Sequence, residues 1–186
     1  MEKSILVVDC QNDFINGSLS CLNGDEVVKN IVSFINLNEN AKVFYSCDWH
    51  KKSNKSFKVN GGIWPVHCVE NTLGSRLHQE FYENVKKRNQ SANNKKNIFF
   101  KGMDDCIEEY SAFNAKNYLY ENLNEKLKGD IIICGIALEY CVKETILQLL
   151  NNGFNVYLYL KGVGYITKEG YEDTLTYLKD IGVKFI

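Results

Sequence analysis

Neither sign of charge dominates: 22 Lys and Arg face 23 Asp and Glu, a net charge of -1. That balance provides no electrostatic footprint for nucleic acid or an anionic membrane, so the expected partner is a small molecule. No run of about 18 apolar residues is present, and the opening MEKSILVVDC enters a strand-like segment instead of a signal peptide's apolar stretch. A soluble cytoplasmic protein is expected, with the nucleus open to it as well in a eukaryotic cell. The seven cysteines (Cys10, Cys21, Cys47, Cys68, Cys106, Cys134 and Cys141) are odd in number and contain no CxxC pair. This argues against a disulfide framework, a structural zinc cluster and a thiol redox module alike. The single proline and the abundant Asn and Lys reflect composition bias and carry no functional signal.

What is present is a regular alternation. With 186 residues and 45% hydrophobic content, the chain can bury one substantial core, and residues 1–186 read as one domain. Short β-branched and apolar runs at Ser4–Val8, Lys42–Ser46, Asn97–Phe100, Asp130–Cys134, Asn155–Leu160 and Val183–Ile186 predict six strands. Helical patterns fall between them at Asp25–Leu37, Leu73–Lys86, Lys116–Lys128, Tyr140–Asn151 and Lys168–Ile181. In the fourth, Val142, Ile146, Leu149 and Leu150 share a face and Gly153 stands at the C-terminal cap. The polar tract Lys86–Lys96 (KKRNQSANNKK) reads as a flexible surface loop. The prediction is a doubly wound α/β domain, a six-stranded mostly parallel sheet with helices on both faces.

In such folds ligands bind beyond the C-terminal strand ends, at the point where the winding reverses. The residues following the strands are Asp9, then Asp48 and His50, then Lys101, then Cys141. Singly, each has an ordinary explanation as a loop acid or a buried small hydrophobe. Together they compose a mechanism. Cys141 at the start of a helix is placed where amides and the helix dipole lower a thiol's pKa. Asp9 can take its proton and later deliver it to a leaving amine, with Lys101 holding Asp9. Amides near Ala137 and Cys141 are candidates for an oxyanion hole. Asp48 and His50, two apart, point to one side of an extended segment, and His67 can join them. One carboxylate and two imidazoles suit Zn, Fe or Mn, although loop packing would explain the same residues.

The blocks VVDCQNDF, SCDWH, WPVHCVENTLGSRLH, FKGMD with EEYSAF, and GIALEYCVKET run along most of the chain. In this order they resemble the isochorismatase-like hydrolase superfamily, and DWH with WPVHC resembles its metal-containing nicotinamidase branch. The resemblance implies a triad of Asp9, Lys101 and Cys141 and a metal site of Asp48, His50 and His67, most simply zinc, with iron or manganese as alternatives. It implies a pocket of Phe14, Leu19, Trp64, Tyr110, Ala137 and Tyr140, a cis peptide before Ala137, and hydrolysis of nicotinamide, with pyrazinamide as a second substrate. It implies a role in NAD salvage and leaves a homo-oligomer open. Two departures stand out: Leu138-Glu139-Tyr140 precedes the nucleophile where the branch commonly has Thr-Asp-Tyr, and the fifth strand ends in LYLKGVGYI. The first predicts a lost hydrogen bond in that turn. Rival readings are a metal-independent amidase acting on carbamoyl compounds and a noncatalytic domain of the same fold.

Overall fold

The computed structural model describes residues 2–186. In chain order the elements are β1 (Lys3–Val8), α1 (Asn12–Ile15), α2 (Gly24–Leu37), β2 (Lys42–Asp48), α3 (Glu80–Glu83) and β3 (Ile98–Lys101). There follow α4 (Leu123–Lys126), β4 (Asp130–Gly135), α5 (Lys143–Asn151), β5 (Val156–Val163), α6 (Lys168–Asp180) and β6 (Lys184–Phe185). The six strands form one sheet in the order β3-β2-β1-β4-β5-β6, and every pairing is parallel. The doubly wound expectation and all six strand positions hold. Apolar residues in β1 and β4 are buried on both faces, which is why these strands read as continuous hydrophobic runs. No helix is long and apolar enough to cross a membrane.

The sheet separates two cores. Alternate residues Ile5 and Val7 pack with Val27, Ile31 and Ile35 of α2. Leu6 and Val8 pack on the other face with Ile146 and Leu149 of α5 and Leu178 of α6. The winding reverses between β1 and β4, so the ends of these two strands bound a crevice. At its floor Gly135 has φ +123, and a Cβ there would lie 2.0 Å from the Val8 carbonyl oxygen. Only glycine lets the two strand ends approach this closely.

Two predicted helices are mostly irregular. Over Leu73–Lys86 only α3 is helical, because the preceding backbone bonds to the segment after β1: Asn12 donates to the Arg76 carbonyl, Asp13 to Gly74, and His78 to Cys10. The apolar spacing of Leu77, Phe81 and Val85 serves a folded-back strap instead. Over Lys116–Lys128 only α4 is helical; Lys116 exchanges backbone hydrogen bonds with Phe100 and so extends the sheet edge. Asp25–Leu37 and Lys168–Ile181 are helical nearly as predicted. Helix α5 begins three residues late but buries Ile146 and Leu149, with Val142 buried just ahead of it, and the Gly153 amide closes its end on the Leu150 carbonyl.

The Lys86–Lys96 tract is not a flexible loop. Gln90, Ser91 and Ala92 are buried, and the Gln90 amide donates to the carbonyls of Asn38 and Ala41 at 3.0 and 2.8 Å. The Gln90 carbonyl accepts from the buried Tyr45 hydroxyl at 2.8 Å. Polar side chains here satisfy backbone groups of the sheet's neighbours, a role that composition does not reveal. We expect Gln90→Ala to lower the unfolding free energy by about 1–3 kcal/mol in urea denaturation, because the buried Ala41 carbonyl and the part-buried Asn38 carbonyl lose the Gln90 amide as donor. A loss below about 0.5 kcal/mol would restore the flexible-loop reading.

Candidate active site

Three strand ends and one helical turn converge on the crevice. Asp9 follows β1 with φ +49, a left-handed conformation that Asp tolerates better than most residues, and is fully buried. The Ser46 hydroxyl donates to its Oδ1 at 2.6 Å. Lys101, the last residue of β3, places Nζ 2.9 Å from Asp9 Oδ2, 2.5 Å from Asp48 Oδ1 and 3.5 Å from Cys141 Sγ. The contact with Asp9 Oδ2 is an ion pair off the direction of a hydrogen bond, which leaves that oxygen a lone pair for a proton. Asp9, Lys101 and Cys141 are thus together, and the lysine serves two carboxylates where one was foreseen.

Burial sets the charges. It raises the Asp9 pKa even against the pull of Lys101. Lys101 itself is held well above its ordinary value: burial opposes its charge, but Asp48 and Asp9 prevail. For Cys141, burial pushes the thiol well above its ordinary range, and Lys101 only partly offsets this. The expectation of a helix-stabilised thiolate is therefore corrected. Cys141 is not at the start of α5 but in a π-helical turn, Leu138–Val142, ahead of it, and desolvation dominates. Burial thus disfavours the thiolate, and attack calls for a base to take the thiol proton. Wide turns of this kind are common at functional sites.

That turn is fixed by contacts that the sequence reading missed. The buried Thr145 hydroxyl donates to the Cys141 carbonyl at 2.6 Å and accepts from the Ala112 amide at 3.0 Å. The Ile136–Ala137 peptide is cis, and the Ala137 amide has no hydrogen-bond partner within the protein among the described residues. It lines the cavity and is available to an oxyanion. The hydrogen bond expected to be lost with Glu139 is replaced: its Oε1 accepts from the amides of Ile166 and Thr167 at 2.9 and 3.0 Å. The unusual LYLKGVGYI end contributes as well, since the Gly164 carbonyl accepts from the Leu138 amide and Ile166 lines the cavity.

Asp48, His50 and His67 are all buried, and each offers a ligand atom within 4.8 Å of the others. His50 Nδ1 lies 2.8 Å from the Gly102 carbonyl and His67 Nδ1 lies 2.8 Å from the Pro65 carbonyl. Each Nδ1 faces a backbone carbonyl, with the Asn54 side-chain amide also 3.2 Å from that of His50, and the tautomer with Nδ1–H on the carbonyl leaves both Nε2 lone pairs for a cation. For His67 burial lowers the pKa, favouring the neutral ligand form; for His50 the Asp48 carboxylate outweighs burial and raises it. Asp48 is held ionised below the usual carboxylate range: burial would raise its pKa, but Lys101 and His50 overcome it. The donor set fits a divalent transition metal. Gln11 and Asp13, inside the DCQNDF block, supply outer support: Gln11 exchanges hydrogen bonds with the Asp48 backbone, and Asp13 Oδ2 accepts from the Cys68 amide beside His67.

The cavity over these groups holds about 500 Å³ of empty space including its open mouth. Phe14, Leu19, Trp64, Tyr110, Ala137 and Tyr140 all line it, as does Cys141. The Trp64 indole donates to the Tyr110 hydroxyl at 3.1 Å, and Trp64 meets Tyr140 edge to face at 5.1 Å. Apolar walls around a few convergent polar groups suit a small aromatic ligand. Glu108 and Glu109, which sequence reasoning passed over, also reach the wall.

Comparison with known proteins agrees with this geometry. The isochorismatase domain model matches residues 3–186. The chain is 30% identical to the nicotinamidase of Saccharomyces cerevisiae over 185 residues, 82% of this chain and 83% of that protein. It superposes on the pyrazinamidase of Pyrococcus horikoshii in complex with zinc at TM-score 0.84, with 32% identity, covering 100% of this chain and 99% of that one. With the yeast nicotinamidase bound to the inhibitor nicotinaldehyde the TM-score is 0.85, with 27% identity and 99% of each chain covered.

Proposed function

Because the chain belongs to the isochorismatase family, we propose that it is an amidohydrolase that converts nicotinamide to nicotinate and ammonia, the product serving NAD salvage. One observation carries the reading: Asp48 belongs at once to the cluster with His50 and His67 and to the cluster with Asp9 and Cys141. A ligand anchored at the first cluster therefore presents its neighbouring atoms to the thiol. The zinc complex of the similar pyrazinamidase and the nicotinaldehyde complex of the similar nicotinamidase support the same assignment.

Asp48, His50 and His67 would hold the divalent ion, zinc first, with iron and manganese compatible with the same donors. When bound, it supplies a Lewis acid that takes the pyridine nitrogen and fixes the ring. Pyrazinamide, whose ring also has a nitrogen, fits the same pocket. The rest is done by the chain. Asp9 accepts the Cys141 proton, and the sulfur forms a bond to the carboxamide carbon while the Ala137 and Cys141 amides receive the developing oxyanion. Asp9 returns the proton to nitrogen, the C–N bond breaks, and ammonia leaves a thioester on Cys141. Water, deprotonated by Asp9, then attacks the thioester; the C–S bond breaks, Asp9 gives that proton to the leaving Cys141 sulfur, and nicotinate departs with its own acid proton released to solvent. Lys101 stays charged, keeping Asp9 from holding its proton too tightly. Phe14, Trp64 and Tyr140 exclude bulk water from the reacting carbon.

Purified protein is expected to release nicotinate and ammonia in equal amounts from nicotinamide, to stop after chelation, and to recover on adding zinc. No turnover by reduced, zinc-loaded protein would overturn the assignment and direct the search to other amides.

A further inference from the structure

Glu109 stands outside the triad and the metal cluster, yet its carboxylate makes a 2.8 Å hydrogen bond to the backbone beside both. Lys101 and Gly102 share a peptide group that is gripped from both sides. Its carbonyl accepts from the Trp49 amide at 2.9 Å, and its N–H donates to Glu109 Oε2 at 2.8 Å. This clamped group fixes where the next carbonyl, that of Gly102, points, and that carbonyl is the one His50 Nδ1 meets at 2.8 Å. Gly102 has φ +69, and a Cβ on it would lie 2.4 Å from His50 Cε1, so the loop backbone is pressed against the imidazole itself. The Glu109 carbonyl in turn accepts from Lys101 Nζ at 3.2 Å.

We propose that Glu109 is a positioning residue for the metal ligand His50, acting through the Gly102 backbone: its carboxylate holds the Gly102 peptide so that His50 keeps Nδ1–H on the Gly102 carbonyl and Nε2 toward the cation. The physical basis is that an imidazole ligand's orientation and tautomer are set by the acceptor of its other nitrogen, and loss of such outer support weakens metal affinity by roughly 10–100-fold. Here the acceptor is a loop carbonyl, which can rotate unless its neighbouring peptide is held. Glu109 is only half-buried, so isosteric changes leave the core intact. The inference rests on the metal-site reading above.

The test compares Glu109→Met, of similar size but with no acceptor, with Glu109→Gln, which keeps an amide oxygen for the Gly102 N–H. Zinc retention is read by competition with a chromogenic chelator, beside thermal unfolding of each protein without substrate. The Met variant is expected to release zinc at least about tenfold more readily, with the Gln variant within about threefold of the parent. Equal zinc retention by the Met variant and the parent would overturn the proposal. So would equal loss in both variants, which would point to the negative charge instead of the hydrogen bond. If the parent chain itself retains no zinc, the metal-site reading fails and takes this one with it; zinc binding by the parent with no effect of Met refutes Glu109 alone.

Discussion

Cys141→Ala is expected to lower kcat for nicotinamide on the order of 10⁴-fold or more while the protein stays folded and its capacity to take up a divalent metal is unchanged. Removing a nucleophile forfeits the covalent route entirely, and what remains is binding and oxyanion stabilisation. The cluster of Asp48, His50 and His67 is untouched by the change, so metal uptake separates loss of chemistry from loss of site. The burial that pushes the thiol's pKa up adds a second expectation. With no preformed thiolate, Asp9→Asn leaves the sulfur without a proton acceptor and should cost roughly 10²–10⁴-fold. Residual activity of the alanine variant within tenfold of the parent would reassign the nucleophile to water.

Lys101→Met should be the most damaging single change to the fold of the site. The lysine is 1% exposed and touches two carboxylates that are themselves buried. Breaking a buried ion pair from one side typically costs about 3–5 kcal/mol, because the remaining charge is stranded. The pH dependence follows from Asp9, whose pKa burial already raises and which Lys101, together with the Ser46 hydroxyl, pulls down. Without the lysine, the folded-state pKa of Asp9 rises further above its unfolded value. A carboxyl of that kind favours folding while protonated, and its contribution is lost as pH rises through the folded pKa. The deficit of the variant should therefore be smallest in acid, below about pH 4, and grow toward neutrality. Urea denaturation of parent and variant at several pH values measures it; a deficit that is flat with pH would mean that Asp9 is not the stranded charge.

The two failed helices and the packed tract share a cause. Leu77, Phe81 and Val85 have helical spacing, and the segment is nonetheless bound along its backbone to Cys10–Asp13, far away in sequence. Lys116 lies in a helix-forming composition but is recruited to the edge of β3. Gln90 looks like a loop residue until Asn38, Ala41 and Tyr45 are brought beside it. In each case a nonlocal hydrogen bond outweighed local propensity, which spans less than about 1 kcal/mol per residue.

Local chemistry by itself determined the strands and the doubly wound class, and it singled out the side chains that the fold brings together in the crevice. Apolar runs are short-range signals, and Asp9, Asp48, His50, Lys101 and Cys141 are marked by following strands in a fold whose ligands bind there. What only the tertiary structure decided is how those groups act on one another. That Lys101 bridges Asp9 and Asp48, that burial in a wide turn pushes the Cys141 thiol's pKa up, and that Glu109 reaches Gly102 beneath His50 all depend on distances and desolvation. Charge and proton affinity in a buried site are set by neighbours a few ångströms away, and those neighbours come from strands, turns and loops that only folding brings together.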